Sequence, residues 1–190
     1  MSIGLDLGGT DLKAVRLADS GEVLAFARVP SRALESHSGP YEAAIAVLEA
    51  LGSGDAGEAR ATIGFGCPGV IDPSTGVLRG ATAHLPHWHD EPVRDELERR
   101  LGRRVVVDND ANLAALAEHR LGAGRDAHTL VLVTLGTGIG CGMVIDGRVH
   151  RGAWGGAGEL GHIPLGDGAL ECACGVPGCV EPEASASGLV

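Results

Sequence analysis

Apolar and polar residues alternate in three short stretches near the start of the chain, and this alternation predicts three β-strands. The stretches run from Ile3 to Leu7, from Asp11 to Leu17 and from Val23 to Val29. Short segments rich in glycine and small polar residues separate them, which is typical of tight turns. Strands joined by such turns pair as neighbours, so the pattern predicts an antiparallel meander.

Apolar residues recur at helical spacing in three later segments. The first helix is predicted to begin near Pro40 and to end before Gly52, the second to run from Asp90 to Gly102, and the third to cover 111–121. Proline at the start and glycine just after the end are common helix boundaries. The positions expected to be buried are Ile45, Leu48 and Leu51; Val93, Leu97 and Leu101; and Leu113, Leu116, Ala117 and Leu121.

Four further apolar segments predict strands, and together with the helices they indicate an α/β fold. A glycine-rich loop is expected at 52–57, and the composition of Gly122 to Asp126 is that of a linker. We therefore predict an N-terminal α/β domain over 1–122 and the start of a second α/β domain over 123–190. The strand segments are 61–66, 105–107, 129–135 and 143–145.

The net charge of the chain argues against two classes of binding partner. The net charge is −10 at pH 7, and the 15 lysine and arginine residues form no dense run. Nucleic acids and anionic membranes attract clustered basic residues, so neither is an expected partner. The sequence shows no leader-like start and no apolar run of membrane-spanning length, so we expect a cytoplasmic protein whose five cysteines stay reduced or bind metal.

One histidine and three cysteines near the end of the sequence have the composition of a zinc site. They are His162, Cys172, Cys174 and Cys179. One imidazole and three thiolates suit tetrahedral Zn²⁺, and four protein ligands leave no open position, so we expect a structural ion. The alternative is that the cysteines are buried fillers or form a disulfide, but their crowding in a glycine-rich loop favours the metal.

Two glycine-rich turns, each expected between two strands, are candidates for binding phosphate groups. Backbone N–H groups can approach an anion closely in such turns, and a carboxylate beside the first can hold Mg²⁺ through water. Either turn alone is more often an ordinary hairpin, but two of them can grip a polyphosphate from both sides. The candidates are Asp6, Gly8, Gly9 and Thr10 in the first turn and Gly136, Thr137 and Gly138 in the second.

Three consecutive polar residues, Asp108, Asn109 and Asp110, follow an apolar strand and precede a helix. Their side chains are expected at the carboxyl end of that strand, where α/β sheets bind ligands. If a phosphoryl group is transferred to a hydroxyl, one carboxylate must accept the hydroxyl proton, and Asp110 is the candidate. The alternative for one of the two acids is a helix N-cap. Pro68 and Gly69 lie in a rigid loop that is suited to shaping a pocket wall.

Glu159 and Glu181 flank the expected zinc ligands, which would fix both carboxylates in space. Fixed carboxylates can recognise the hydroxyl groups of a sugar, and the alternative is that both are ordinary solvated acids. Three histidines around Trp88 suggest a second metal site, but a solvated loop without a catalytic role is the favoured interpretation. These histidines are His84, His87 and His89.

Six motifs together resemble the ROK family, which comprises repressors and sugar kinases of the actin/Hsp70/hexokinase superfamily. The resemblance implies an actin/Hsp70/hexokinase-like (ribonuclease H-like) fold and ATP-dependent phosphorylation of a hexose or N-acyl hexosamine, usually at the 6-hydroxyl. It also implies Mg²⁺ at the nucleotide, structural zinc near the sugar, and a homodimer. The motifs are Asp6-Leu-Gly-Gly-Thr10, Gly66-Cys-Pro-Gly-Val-Ile-Asp72, Asp108-Asn-Asp-Ala111, Leu135-Gly-Thr-Gly-Ile-Gly140, Gly158-Glu-Leu-Gly-His162 and Cys172-Ala-Cys-Gly-Val-Pro-Gly-Cys179.

The same resemblance implies roles for individual residues. Asp110 is similar to the general base, and the two glycine turns are similar to the family's phosphate loops. The residues that resemble its sugar contacts are Asn109, Glu159, His162 and Glu181, with Pro68 and Gly69 in the loop beside them.

Two departures from the family pattern bear on function. His84-Leu85 stands where many family kinases have Asn-Leu, which leaves the identity of the sugar open. Family kinases also continue past the end of this sequence into segments that hold the adenosine, so we expect an incomplete nucleotide site. The alternatives to a kinase are the sugar-binding effector module of a ROK repressor and a catalytically incomplete sugar-binding fragment. The choice between ATP and polyphosphate as donor also stays open.

Overall fold

Strands and helices follow one another largely in the predicted order. The computed structural model describes residues 1–52, 61–165, 168, 170–186 and 188. The strands are β1 (Ser2–Leu7), β2 (Asp11–Leu17), β3 (Val23–Pro30), β4 (Ile63–Cys67), β5 (Val70–Ile71), β6 (Leu78–Thr82), β7 (Leu85–Glu91), β8 (Val105–Asn109), β9 (Thr129–Leu135), β10 (Ile139–Ile145) and β11 (Arg148–Val149). The helices are α1 (Gly39–Ala50), α2 (Val93–Leu101), α3 (Asp110–Leu121) and α4 (Glu181–Ala184), and a 3-10 turn covers Leu160–His162. After Gly52, the predicted loop at 52–57 lies outside the described residues.

The chain divides into two compact units, Met1–Asp110 and Ala111–Val190. The predicted domain boundary after residue 122 stays a prediction. No helix in the described part of the chain is both long enough and apolar enough to span a membrane.

A five-stranded mixed sheet with the order β3-β2-β1-β4-β8 forms the centre of the first unit. β1, β2 and β3 pair antiparallel, which confirms the predicted meander. β4 runs parallel to both β1 and β8, so these three strands end at the same edge of the sheet. The mixed sheet with its helices confirms the predicted α/β class.

One face of this sheet packs against α1 and α2 and forms the hydrophobic core. Alternate residues of β1, namely Ile3, Leu5 and Leu7, are buried there, as the two-residue period of a strand requires. Burial of each such side chain contributes about 1.5–3 kcal/mol, and a slip by one residue would turn all three outward. The alternation therefore fixes the register of the central strand.

Of the three positions predicted to be buried along α1, Leu48 and Leu51 are buried and Ile45 is not. Ile45, which was expected in the core, is 37% exposed, whereas Tyr41, Ala44 and Leu48 are buried. The ring of Tyr41 stacks on that of Trp88 with centroids 4.8 Å apart. Because this aromatic contact anchors the helix, the face that includes the small Ala44 packs inward and Ile45 turns outward.

A small antiparallel sheet, β5-β6-β7, replaces the solvated loop that was predicted around Trp88. β7 contains His87 and His89 and buries Leu85, Trp88 and Glu91, which are three residues apart. Its pairing with β6 is irregular, so the strand lacks the two-residue period by which strands are recognised. Among the described residues, these histidines belong to no cluster of metal-binding side chains.

In the second unit, a three-stranded sheet with the order β11-β10-β9 packs against α3. A Cβ atom at Gly140 would lie 3.1 Å from the Cβ of Ala111, and one at Gly142 would lie 2.7 Å from the Cβ of Ala115. The helix therefore approaches β10 through its smallest residues. The predicted leucine face of α3 is wrong, because Leu121 is 65% exposed while Ala111 and Ala115 are buried.

Candidate functional site

In the first unit, the candidate residues lie at one edge of the five-stranded sheet. Asp6, Gly66 and Asp108 occupy one row across β1, β4 and β8. The segments that follow these three strands therefore begin at the same edge. They are the first glycine turn, the Pro68-Gly69 segment and the start of α3.

The first glycine turn is held from two sides by hydrogen bonds. The N–H of Gly8 donates to the carbonyl of Asp11 at 2.8 Å. Ser31, which is fully buried, donates its hydroxyl to the Gly9 carbonyl at 2.9 Å and its N–H to the Thr10 carbonyl at 2.8 Å. Within the described residues, the N–H groups of Gly9 and Thr10 donate to no protein acceptor. Two neighbouring N–H groups of this kind can bind an anion.

Asp6, the predicted Mg²⁺ carboxylate, is half-exposed at the end of β1. Its Oδ2 lies 3.5 Å from Nζ of Lys13, the residue on β2 that pairs with Asp6. This is a weak solvated ion pair. Asp6 therefore remains accessible to a hydrated cation.

The three polar residues at the end of β8 and the start of α3 have different roles. Asp108 is buried, and its Oδ1 accepts the N–H of Asn109 at 2.9 Å. The Asn109 side chain donates to the carbonyl of Gly69 at 3.1 Å and so holds the predicted pocket wall. Asp110 is half-buried and is the first residue of α3, where the helix dipole favours a carboxylate. Burial, with the charges of Asp110 and Asp108, raises the pKa of the Cys67 thiol.

Gly69 must be a glycine for this segment to keep its shape. Its φ is +98°, in the region that residues with a side chain rarely adopt. A Cβ there would also lie 2.6 Å from Cδ1 of Leu78. The Cys67-Pro68-Gly69 segment is therefore fixed at the carboxyl end of β4 by both backbone conformation and packing.

In the second unit, the second glycine turn joins β9 to β10. The N–H of Gly136 donates to the carbonyl of Gly138 at 3.0 Å, and the carbonyl of Gly136 accepts the N–H of Ala186 at 2.9 Å. The N–H of Ile139 donates to Oε2 of Glu181 at 2.8 Å. For the N–H groups of Thr137 and Gly138, the described part of the chain provides no acceptor. This turn, like the first, presents two consecutive free donors.

Glu181, a predicted sugar contact, is thus bound to the second glycine turn through one of its two carboxylate oxygens. The other oxygen, Oε1, accepts no hydrogen bond from a described residue. The contact with Ile139 could not be expected from the sequence, because the two residues are 42 positions apart. Oε1 is therefore available for the predicted sugar contact, which stays a prediction.

The four predicted metal ligands come together in the second unit. Their ligand atoms all lie within 4.8 Å of one another. Nδ1 of His162 is 3.5 Å from Sγ of Cys172, and Sγ of Cys174 is 3.6 Å from Sγ of Cys179. A tetrahedral Zn²⁺ ion with its usual bond lengths requires N···S and S···S separations of about 3.6 and 3.8 Å. The residues therefore fit zinc, and the cysteines are free thiols rather than a disulfide.

The surroundings of the cluster act on its thiols and on its imidazole. A hydrogen bond from the Val176 backbone lowers the pKa of the Cys174 thiol. Burial raises the pKa of the Cys179 thiol to about 12. Oε2 of Glu159 lies 3.9 Å from Nε2 of His162, the ring nitrogen that does not face Cys172. Such outer carboxylates commonly orient a metal-binding histidine.

The structure adds two residues to the first glycine turn that were not predicted for it. Ser31 binds the turn as described above, and nothing in its sequence neighbourhood signals this contact. Nδ1 of His84 lies 3.5 Å from where a Cβ of Gly9 would be, so its imidazole borders the turn. No ring hydrogen bond to His84 occurs within the described residues.

The comparisons with known proteins agree with these motifs. The ROK family pattern matches residues 2–190. A glucokinase from Halalkalibacterium halodurans is 38% identical over 98% of this chain and 57% of its own length. The crystal structure of a ROK family glucokinase from Streptomyces griseus, in complex with glucose and AMPPNP, has a TM-score of 0.87 at 35% identity, over 99% of this chain and 58% of that one.

A regulator is also among the similar proteins. A putative xylose repressor from Caldicellulosiruptor is 33% identical over 99% of this chain and 47% of its own length. The chain thus spans between about half and three fifths of the length of the relatives named here. The family pattern and the motifs lead to the same conclusion: the chain belongs to the ROK family.

Proposed function

We propose that the chain is a sugar kinase, or the corresponding part of one, that transfers the γ-phosphoryl group of ATP to a hexose hydroxyl, with the 6-hydroxyl as the expected acceptor. The observation that carries this proposal is the pair of glycine turns, each with two consecutive N–H groups that have no acceptor among the described residues. Such donors suit phosphate oxygens. The similarity to glucokinases supports the same reaction.

Asp110 is proposed as the general base. It accepts the proton of the attacking hydroxyl while the sugar oxygen bonds to the γ-phosphorus, the bond between that phosphorus and the bridging oxygen breaks, and ADP leaves. Its position at the start of α3, at the carboxyl end of β8, supports this role, because α/β sheets bind ligands at that edge. We expect Asp110→Asn to abolish turnover and to preserve sugar binding.

The glycine turns are proposed to offset the charge of the transferred group. The N–H groups of Gly9, Thr10, Thr137 and Gly138 are fixed by their surrounding hydrogen bonds, so they need little reorganisation during the reaction. Asp6 is proposed to hold Mg²⁺ through water, and the ion would neutralise further phosphate charge.

The sugar is proposed to bind polar side chains that their surroundings hold in place. Structural zinc, held by the three cysteines and His162, would fix the neighbouring carboxylates, and its four protein ligands leave it no catalytic position. Pro68 and Gly69 would form part of the wall. The proposed sugar contacts are Asn109, Glu159, His162 and Glu181.

The test is an ADP-release assay of the chain with Mg-ATP and, separately, an assay of sugar phosphate formation with polyphosphate as donor. The acceptors are glucose, mannose, fructose, N-acetylglucosamine and N-acetylmannosamine. Sugar-dependent ADP release that Asp110→Asn abolishes supports the proposal. Asp126→Asn, an exposed aspartate, is the matched control and should retain the wild-type rate. Near wild-type turnover by Asp110→Asn would remove Asp110 from the mechanism.

Two other functions are alternatives to the kinase. The similarity to the putative xylose repressor supports a sugar-binding effector module. A catalytically incomplete sugar-binding fragment is the second alternative. A sugar that raises the melting temperature of the chain without any donor consumption would favour these two over the kinase. Light scattering of the same samples would test the expected homodimer.

A further inference from the structure

Glu181 ties the second glycine turn to the segment that carries the metal ligands. Its Oε2 accepts the N–H of Ile139 at 2.8 Å, and a Cβ at Gly138 would collide with the same carboxylate. Five residues further on, the N–H of Ala186 donates to the Gly136 carbonyl at 2.9 Å. The segment from 181 to 186 therefore holds both ends of the turn, and a side chain at Gly138 would displace the Glu181 carboxylate from its present position.

The same segment is anchored at its other end to the Cys/His cluster. Cys179, one of the four clustered residues, pairs with Pro164 in an antiparallel bridge. The N–H of Val180 donates to the Ile163 carbonyl at 3.2 Å, directly after His162. A metal ion that joins His162 to Cys179 would thus fix the backbone immediately before Glu181.

We propose that Glu181 is a positioning residue that links the metal state of the cluster to the geometry of the second glycine turn, so that metal loading strengthens phosphate binding at this turn. The phosphate part rests on the proposed function, whereas the link itself rests on the contacts above. With the Ile139 N–H held by Glu181 and the Gly136 N–H held by Gly138, the free donors are those of Thr137 and Gly138 among the described residues. Loss of the carboxylate contact would free the turn to change shape.

The link between the cluster and the turn is tested by amide hydrogen exchange at Ile139. This measurement does not depend on enzymatic activity. In the zinc-loaded wild type this amide should be protected. Removal of the metal with a chelator should accelerate its exchange about tenfold, which is the scale of losing one hydrogen bond. Glu181→Ala should give the same acceleration with zinc present, and Glu181→Gln should restore protection, because the amide oxygen of glutamine still accepts the N–H.

The decisive comparison applies the chelator to the Glu181→Ala variant and to the wild type. If Glu181 transmits the metal state, chelation should cause little further acceleration at Ile139 in Glu181→Ala. Equal acceleration by chelation in Glu181→Ala and in the wild type would overturn the proposal, as would unchanged Ile139 exchange in the chelated wild type. Amides of β10 near Val144 provide the internal reference for folding, and Glu183→Ala removes an exposed carboxylate from the same short helix as the matched control.

Phosphate binding is measured separately with Mg-AMPPNP by titration calorimetry. The expected result is weaker nucleotide binding after chelation and in Glu181→Ala, but not in Glu183→Ala. Equal nucleotide affinity in the loaded wild type and Glu181→Ala would overturn the phosphate part. If no form binds the nucleotide while the exchange results are as expected, the proposed kinase function fails and the link between cluster and turn stands.

Discussion

At the scale of single residues, Ser31 is the clearest case of a buried polar group with a specific task. Its hydroxyl donates to the Gly9 carbonyl and its N–H donates to the Thr10 carbonyl. A carbonyl and the following N–H point in opposite directions across a planar peptide bond. By fixing the Gly9 carbonyl, Ser31 therefore also fixes the direction of the Thr10 N–H.

We expect Ser31→Ala to destabilise the protein by about 1–3 kcal/mol, because it leaves the Gly9 carbonyl without its buried partner. Urea unfolding followed by circular dichroism measures this loss. Ser20→Ala, at an exposed serine, should change the free energy of unfolding by less than about 0.5 kcal/mol. A change in Ser31→Ala as small as that in the control would contradict the assigned role.

Residue-level predictions succeeded where one type of side chain has few alternative uses. The three cysteines and His162 were predicted from composition alone, and the structure brings them together. Ser31 and the Ile139 contact of Glu181 could not be predicted, because a serine or a glutamate is common on any surface. Only the fold shows which distant backbone group each one binds.

At the scale of elements, the contact between α3 and β10 depends on the absence of side chains. We expect Gly142→Ala to destabilise the protein by about 1–3 kcal/mol, because the added methyl would collide with the Ala111 carbonyl and with Ala115. Gly136→Ala is the control in the same unit, since its Cβ would meet no atom within 4 Å. Equal melting temperatures for the two variants would show that α3 packs differently.

Helix α2 should give the protein part of its stability against acid. Hydrogen bonds from Arg99 and Arg100, both at 2.7 Å, lower the pKa of Glu96 from its usual 4.5 to about 2. A group whose pKa is lowered by folding contributes stability above its unfolded pKa and loses it as the pH falls. Glu96→Gln should therefore flatten the dependence of stability on pH between about 4.5 and 2. Urea unfolding at a series of pH values measures this, and Glu49→Gln, an exposed carboxylate on α1, should leave the slope unchanged.

The elements that were predicted correctly are those whose apolar residues recur with a regular period. The meander was predicted from the alternation of apolar and polar residues, and the end of α2 from the glycine that follows it. Gly102 ends α2 in the left-handed conformation, as expected. β7 was missed because it buries every third residue. The first half of β10 was missed because Gly140 and Gly142 interrupt its apolar pattern, and these are the residues on which α3 packs.

At the scale of the whole molecule, we expect about one equivalent of zinc per chain by elemental analysis. Removing the metal should raise amide exchange in the segment that contains Cys172 and Cys179, while β1 and β4 keep their protection. Folded protein without zinc, or uniform exchange changes along the chain, would contradict this expectation.

β9 carries a consequence for the behaviour of the protein at high concentration. It lies at the edge of its sheet among the described strands, and Val131, Val133 and Leu135 are 55%, 43% and 70% exposed on one side of it. A second copy can add its own strand to such an edge, so sedimentation should show self-association that increases with concentration. Val133→Lys should reduce this association, whereas Lys13→Arg, on another strand, should not. Storage and crystallisation of this chain would then depend on the exposed edge of β9, where a single lysine is expected to weaken strand pairing.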